Sequence, residues 1–325
     1  MQRLKTAAPV LRIAGSVLML GWLATHVDLH ELHLPPLHAS TFAWLVATFA
    51  MALTGVTLSA LRWHRVLAAL DLESSYPALL RHYLASLFVG NFLPSTIGGD
   101  VLRISRLSST NHDTPGTTAS VIIERLSGWL VLPLLTLLAI VGNRGLLTGR
   151  PGPASHTALT VALFTLLLLA IVLFLAGSPS VGGRLSSADG WRRFTGAIHL
   201  GLDRMRHHPG LAVEVLTASV AYQLAVMVAV FFAVHTMGLP VGWTAVLAYF
   251  PVVAIVQVLP ITIGGLGTRE ATLVFFLHPL GVASADAVAL GLLIYFVNLG
   301  VSLLGAPAFA LGSRSRSGVR TPIEA

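Results

Sequence analysis

Long apolar runs separated by short polar stretches set the plan of this chain. A helix crossing a bilayer needs roughly 20 predominantly apolar residues. Runs of that kind predict full spans at about 9–25, 41–61, 119–141, 157–177, 211–237 and 285–311. Two further apolar helices, about 78–93 and 243–259, run into Pro94 and Pro260. Proline removes a helical hydrogen bond and clashes with the preceding turn, so both helices should stop there. After each stop comes a Gly-Gly pair and a second short helix, about 100–107 and 268–277. The expectation is one all-α domain over 1–325: a polytopic membrane protein with about six full spans and two broken, re-entrant helical hairpins.

The two breaks repeat each other. The first reads Leu93-Pro94-Ser95-Thr96-Ile97-Gly98-Gly99-Asp100-Val101-Leu102-Arg103. The second reads Leu259-Pro260-Ile261-Thr262-Ile263-Gly264-Gly265-Leu266-Gly267-Thr268-Arg269. Leu, Pro, Thr, Ile, both glycines and the final Arg coincide, which chance does not readily produce. The repeat divides the chain into halves of about 41–141 and 211–311, joined by a polar connector at about 178–209.

Basic residues set the orientation of these spans. With the N-terminus cytoplasmic and each broken segment entering and leaving on one side, sixteen Lys and Arg face the cytoplasm and only Arg144 and Arg150 face outward. Cytoplasmic loops carry this kind of excess. A plasma (inner) membrane protein with both termini cytoplasmic is therefore expected, and its two breaks open to opposite sides. Inverted repeats with broken helices mark alternating-access transporters. The stretch 9–25 is followed by Asp28 and Glu31 without a small-x-small cleavage site, so it is expected to be a retained span.

Composition agrees with the class: 55% hydrophobic, 10% charged, mean hydropathy +0.81. A soluble domain carries about a quarter charged residues. The formal charge of +7 resides in short loops and is no nucleic-acid footprint. There are no cysteines, which excludes disulfide and thiol chemistry. In the connector, Trp191, Phe194, Ile198, Leu202 and Met205 recur at helical spacing among arginines. Either an amphipathic helix at headgroup level or a plain cytoplasmic link fits that pattern.

The candidate chemistry clusters at the breaks. Irregular backbone at membrane depth needs a protein-lined or water-filled cavity around it. Gly98, Gly99, Gly264 and Gly265 would let the chain turn with positive φ and come close to a ligand. Thr96 and Thr262 would add hydroxyls, and Arg103 and Arg269 would supply positive charge beside a helix start, a site suited to phosphate. Asp100 reads as a helix cap or a partner for Arg103, with a proton-carrying carboxylate as the alternative. Glu124-Arg125 and Arg269-Glu270 are adjacent opposite charges at helix edges. Pairing across the bundle, Arg125 with Glu270 or Glu124 with Arg269, is one reading; interfacial placement in contact with water is the other. Arg62 and Arg65 read first as anchors of a span end beside Trp63, and otherwise as headgroup-binding residues at the cytoplasmic mouth. His26, His30 and His33 lack a matching fourth ligand, so no metal and no cofactor is expected. Gln223, Gln257 and Asn298 are polar groups within spans that join helices or line a path. No P-loop, G-x-S-x-G or H-E-x-x-H is present, and the chain is not expected to be an enzyme.

Through Arg62-Trp63, the stretch Asn91 to Arg103, Ser120 to Arg125 and Leu259 to Glu270, the chain resembles the lysylphosphatidylglycerol-synthase transmembrane region, also described as the flippase-like integral membrane protein family. The resemblance covers roughly 10–311. It implies movement of polar lipids between leaflets. In the synthases this region is followed by a soluble aminoacyl-transferase domain, which the resemblance does not reach, so only the translocating half is expected to carry over. The expected substrate is an anionic phospholipid or a glycosylated or polyprenyl-type lipid, with lipid-biosynthetic enzymes as a further partner class. An intramembrane lipid-modifying transferase and a non-transporting scaffold of a lipid-biosynthesis complex remain as alternatives.

Overall fold

The computed structural model describes residues 38–92, 98–178, 191–259 and 264–314, with isolated positions 18, 21, 25 and 262. Outside the described residues lie most of the span expected at 9–25, the turn 93–97 with Thr96, the stretch 179–190 of the connector, and Pro260, Ile261 and Ile263. The described residues form eleven α-helices and no strand. These are α1 (Ala39–Ala69), α2 (Tyr76–Phe92), α3 (Gly98–Asn111), α4 (Thr114–Gly142), α5 (Gly152–Gly177), α6 (Trp191–His207), α7 (Pro209–Thr236), α8 (Trp243–Gln257), α9 (Thr268–Leu277), α10 (Ser284–Leu303) and α11 (Gly305–Arg314). The protein is an all-α, multi-pass membrane protein. Five helices, α1, α4, α5, α7 and α10, are long and apolar enough to cross a bilayer.

Local signals place the helix ends. Asp113 caps α4, its carboxylate accepting the Gly116 N–H at 2.8 Å, with Pro115 in the first turn where no donor is needed. Two boundaries differ from the sequence expectation. Helix α1 does not stop at Leu61 but runs 31 residues, about 46 Å at 1.5 Å per residue, and includes Arg62 and Trp63, both buried. The last apolar run is two helices rather than one, because the chain breaks at Leu304. Beyond the break, α11 folds against α2, with Gly305 so close that a Cβ would lie 2.0 Å from the Leu84 carbonyl oxygen.

Packing follows a repeated scheme. The long helices α1 and α7 lie against each other. In the first half α2 packs on α1 and α3, and α3 on α4; in the second α8 packs on α7 and α9, and α9 on α10. Helix α4 crosses to α8, and α10 crosses to α2. The largest core lies among α4, α5, α7, α8, α9 and α10. There Tyr249 stacks on Phe276 with ring centroids 5.1 Å apart, and its hydroxyl meets Ser155 at 2.7 Å. Large apolar side chains such as Phe42, Leu138, Phe164 and Phe174 face outward, as hydrocarbon surroundings require.

The described part of the connector, α6, is helical and docked. Ile198 of α6 is buried among Val66, Ala119, Ile123, Ala176 and Val215. Arg204 donates to the Leu70 carbonyl at the end of α1, and the His199 ring meets the Ala176 carbonyl at the end of α5. Ile198, Leu202 and Met205 of its apolar face thus pack on the bundle.

Candidate functional site

Three helices of the first half carry a buried ionic network. Helix α1 supplies Arg62, α3 supplies Asp100 and Arg103 one turn apart, and α4 supplies Glu124 and Arg125. Arg62, Arg103 and Glu124 are 4%, 2% and 1% exposed, so these charges depend on one another rather than on water. Glu124 takes both arginines: Arg62 Nη2 donates to Oε1, and Arg103 Nη2 donates to Oε2 at 2.9 Å. Ser59 adds a donor to Oε1 at 3.2 Å. Asp100 links Arg103 to the half-exposed Arg125, with Oδ1 3.0 Å from Arg103 Nη2 and Oδ2 2.6 Å from Arg125 Nε.

Aromatic residues complete the walls. The Arg103 guanidinium lies over Trp63 and Tyr83, at 5.0 and 5.3 Å from the ring centroids, and Arg62 lies 4.6 Å from that of Tyr222. Trp63 is itself fixed by donating to Ser120 at 3.0 Å. Gly128 leaves room for Arg62, since a Cβ there would come within 2.5 Å of Nη1. Gln223 of α7 donates to the Gly128 carbonyl at 3.1 Å and closes the wall.

This arrangement changes the sequence reading in three places. Arg62 and Trp63 are buried inside the bundle rather than exposed at its surface; Arg65, paired with Glu214 at 3.1 Å and half-exposed, is the surface residue of that group. Glu124 is buried and held by Arg62 and Arg103. Pairing across the bundle does occur, but within the first half and not with Arg269 or Glu270.

In the second half the charges pair locally. Arg269 Nη2 donates to Glu270 Oε1 at 2.6 Å, and Glu270 Oε2 accepts the Gly267 N–H at 2.6 Å. Folding back to cap the start of α9 places the Glu270 carboxylate beside the Arg269 fork, so sequence neighbours do satisfy each other. Gly291 makes space for Glu270, and Arg269 lies 5.5 Å from the Tyr295 ring centroid. Thr262 is buried and shares a hydrogen bond with Thr268 at 2.9 Å.

The glycine pairs also diverge. Gly264, Gly265 and Gly267 have φ of 59°, 77° and 89°, the left-handed region expected of a turn. Gly98 and Gly99 already belong to α3. Gly99 is required for proximity instead, since a Cβ would lie 2.4 Å from the Ser86 carbonyl oxygen on α2.

Two adjoining cavities, of about 350 and 410 Å³, separate the halves. Asp100, Arg125, Tyr222, Gln257, Arg269 and Asn298 line both, while Arg62, Arg103 and Glu124 line the smaller. The two motif arginines, Arg103 and Arg269, therefore share one space. Gly99 and Gly264 line the larger cavity and Thr262 lines neither. Asn298 bonds back to its own helix at Ile294. Ser59, Tyr83, Tyr222 and Gly128 touch the network without having carried any local signal in the sequence. Among the described residues no group of His, Asp and Glu could hold a metal.

The family model for the lysylphosphatidylglycerol synthase TM region matches residues 10–305. No curated protein sequence matches the chain.

Proposed function

The chain belongs to the lysylphosphatidylglycerol synthase transmembrane-region family, and from that premise we propose that it moves an anionic polar lipid between membrane leaflets by alternating access. The observation that carries this reading is the convergence of Arg62, Arg103 and Arg269, from both halves of the chain, on one cavity inside the bundle. Ionised groups within a membrane protein mark pathways.

The packing scheme supports the mechanism. Exchanging α1–α4 with α7–α10 maps the contacts α1–α4, α4–α7 and α4–α8 onto α7–α10, α10–α1 and α10–α2. It also maps α5, which packs on α4 and α8, onto α11, which packs on α10 and α2. A two-fold relation of this kind, with opposite orientations in the membrane, lets one cavity open alternately to each side. In this reading both termini face the cytoplasm of the plasma membrane, the two hairpins are the moving parts, and the halves run over about 41–141 and 211–311.

A lipid-modifying transferase would need a free base in the cavity. All six oxygens of Asp100, Glu124 and Glu270 already have N–H donors, which favours transport. The test is reconstitution in liposomes with fluorescent lipids and a membrane-impermeant quencher. Wild type should expose inner-leaflet anionic lipid to the quencher, and Arg103→Ala should not. A quenched fraction equal to that of empty liposomes, across anionic and glycosylated lipids, removes the proposal, and covalently altered lipid would establish the transferase.

A further inference from the structure

We infer that the contact between α4 and α7 is a polar latch that holds the cytoplasmic side of the bundle shut, and that its counterpart, the contact between α1 and α10, parts first. The orientation and use of the latch rest on the transport reading above; the latch itself rests on three contacts. Gln223 Nε2 donates to the Gly128 carbonyl oxygen at 3.1 Å. Ser219 Oγ, one turn nearer the start of α7, donates to Ser127 Oγ at 3.0 Å, since the Ser127 proton is directed at the Glu124 carbonyl oxygen at 2.8 Å. Between them the Tyr222 ring receives Arg62, 4.6 Å from its centroid, and Arg62 is tied to α4 through Glu124. Ser127, Ser219 and Gln223 are buried, where a low dielectric strengthens such bonds. Ser219 can also release: its hydroxyl has the Val215 carbonyl oxygen at 2.8 Å as a second acceptor when the helices part.

The counterpart seam is built differently. Exchange of the halves maps α4–α7 onto α10–α1. There Gly300 of α10 faces the Phe49 ring of α1, and an added Cβ would lie 3.1 Å from it. Thr48 and Asn298, the polar side chains of α1 and α10 in the wall of the larger cavity, donate back to their own helices at Trp44 and Ile294. Ala52, Val56, Val297 and Val301 share that wall, so the larger cavity enters the α1–α10 seam. On the other side the smaller cavity stops at Gly128 and Gln223; Ser127 and Ser219, beyond them, line neither cavity. Helix α8 rests on α4 and α2 rests on α10, so movement of either hairpin bears on one of these two seams. Two interhelical hydrogen bonds of ordinary strength in a membrane bias a two-state equilibrium ~10-fold.

The test measures distances between pairs of spin labels on cysteines introduced into the full-length, cysteine-free protein in lipid nanodiscs. Labels at Thr114 and Val213 report the cytoplasmic ends of α4 and α7, and labels at Ser40 and Ser284 report the outer starts of α1 and α10. Ser219→Ala combined with Gln223→Leu should raise the long-distance population of the first pair ~10-fold and shift the second pair to shorter distances. Thr48→Val, which removes a hydroxyl bonded within its own helix, should change neither pair. Unchanged distances in the double variant overturn the inference, as does widening of both pairs together, which would mean that these bonds serve stability alone. Should the double variant fail to fold, Ser127→Cys with Ser219→Cys decides, because oxygens 3.0 Å apart place the two side chains within reach of a disulfide. Oxidation should stop translocation in liposomes and reduction should restore it; transport by the fully cross-linked protein overturns the latch. Absence of translocation by wild type removes the transport reading alone, because the label distances still decide whether the seam is latched.

Discussion

Glu124 is the shared counter-ion of two buried arginines, and Glu124→Gln is the sharpest probe of the network. The substitution preserves size and one acceptor oxygen but removes the charge that Arg62 and Arg103 both contact. Breaking a buried ion pair by removing one partner costs about 3–5 kcal/mol, because the remaining charge stays buried without compensation. Here two guanidinium groups lose their counter-ion and only Arg103 retains another, Asp100. Two charge-assisted hydrogen bonds at about 1.5–3 kcal/mol each lead to a similar figure. The measurement is unfolding of the full-length protein in mixed micelles by increasing SDS, followed by circular dichroism. Adding Arg62→Met to Glu124→Gln should recover part of the loss, since one unpaired charge is then gone; the coupling expected for residues in contact is about 1–3 kcal/mol. A Glu124→Gln protein within about 1 kcal/mol of wild type would mean that water or another carboxylate neutralises these arginines, and the ionic argument for the site would fail.

Four further outcomes follow from the same geometry. Gly99→Ala should cost about 1–3 kcal/mol in the same unfolding assay, because the added Cβ meets the Ser86 carbonyl and pushes α3 from α2. Gly265→Ala should be worse tolerated than Gly264→Asn: both positions have positive φ, but the Gly265 Cβ would come within 3.0 Å of Gln257 while Gly264 is open and Asn accepts the left-handed region. Arg65→Ala should change stability by less than about 1 kcal/mol, as its partner Glu214 is solvent-accessible. Finally, the cysteine-free chain permits single-cysteine labelling without background. Cysteines at the exposed positions Ser109 and His156 should react with an impermeant reagent from opposite sides; reaction from one side would refute the inverted arrangement.

Among the described residues, the sequence by itself determined which segments are long apolar helices and where the two glycine breaks fall, though not the break at Leu304. Length of an apolar run, proline stops and glycine turns are local properties, and the solvent is hydrocarbon, so little competes with them. Hence α2, α3, α8 and α9 lie within a few residues of where Pro94, Pro260 and the glycine pairs place them. The Asp100–Arg103 contact was legible too, because three residues of helix bring the two side chains together. What only the tertiary structure decided is which charges meet. Glu124 and Arg62 are 62 residues apart in sequence, and their pairing depends on how α1 packs against α4. The same packing buries Arg62 and Trp63, which by pattern alone sit at a span end, and brings in Ser59, Tyr83 and Tyr222, whose residue types carry no signal of their own. The near-identity of the two motifs likewise concealed their difference. Asp100 reaches outward to Arg125 and leaves guanidinium donors free at the first site, whereas Glu270 folds back onto Gly267 and occupies Arg269 at the second. A side chain's partner is set by everything that packs around it, and no stretch of eleven residues contains that information.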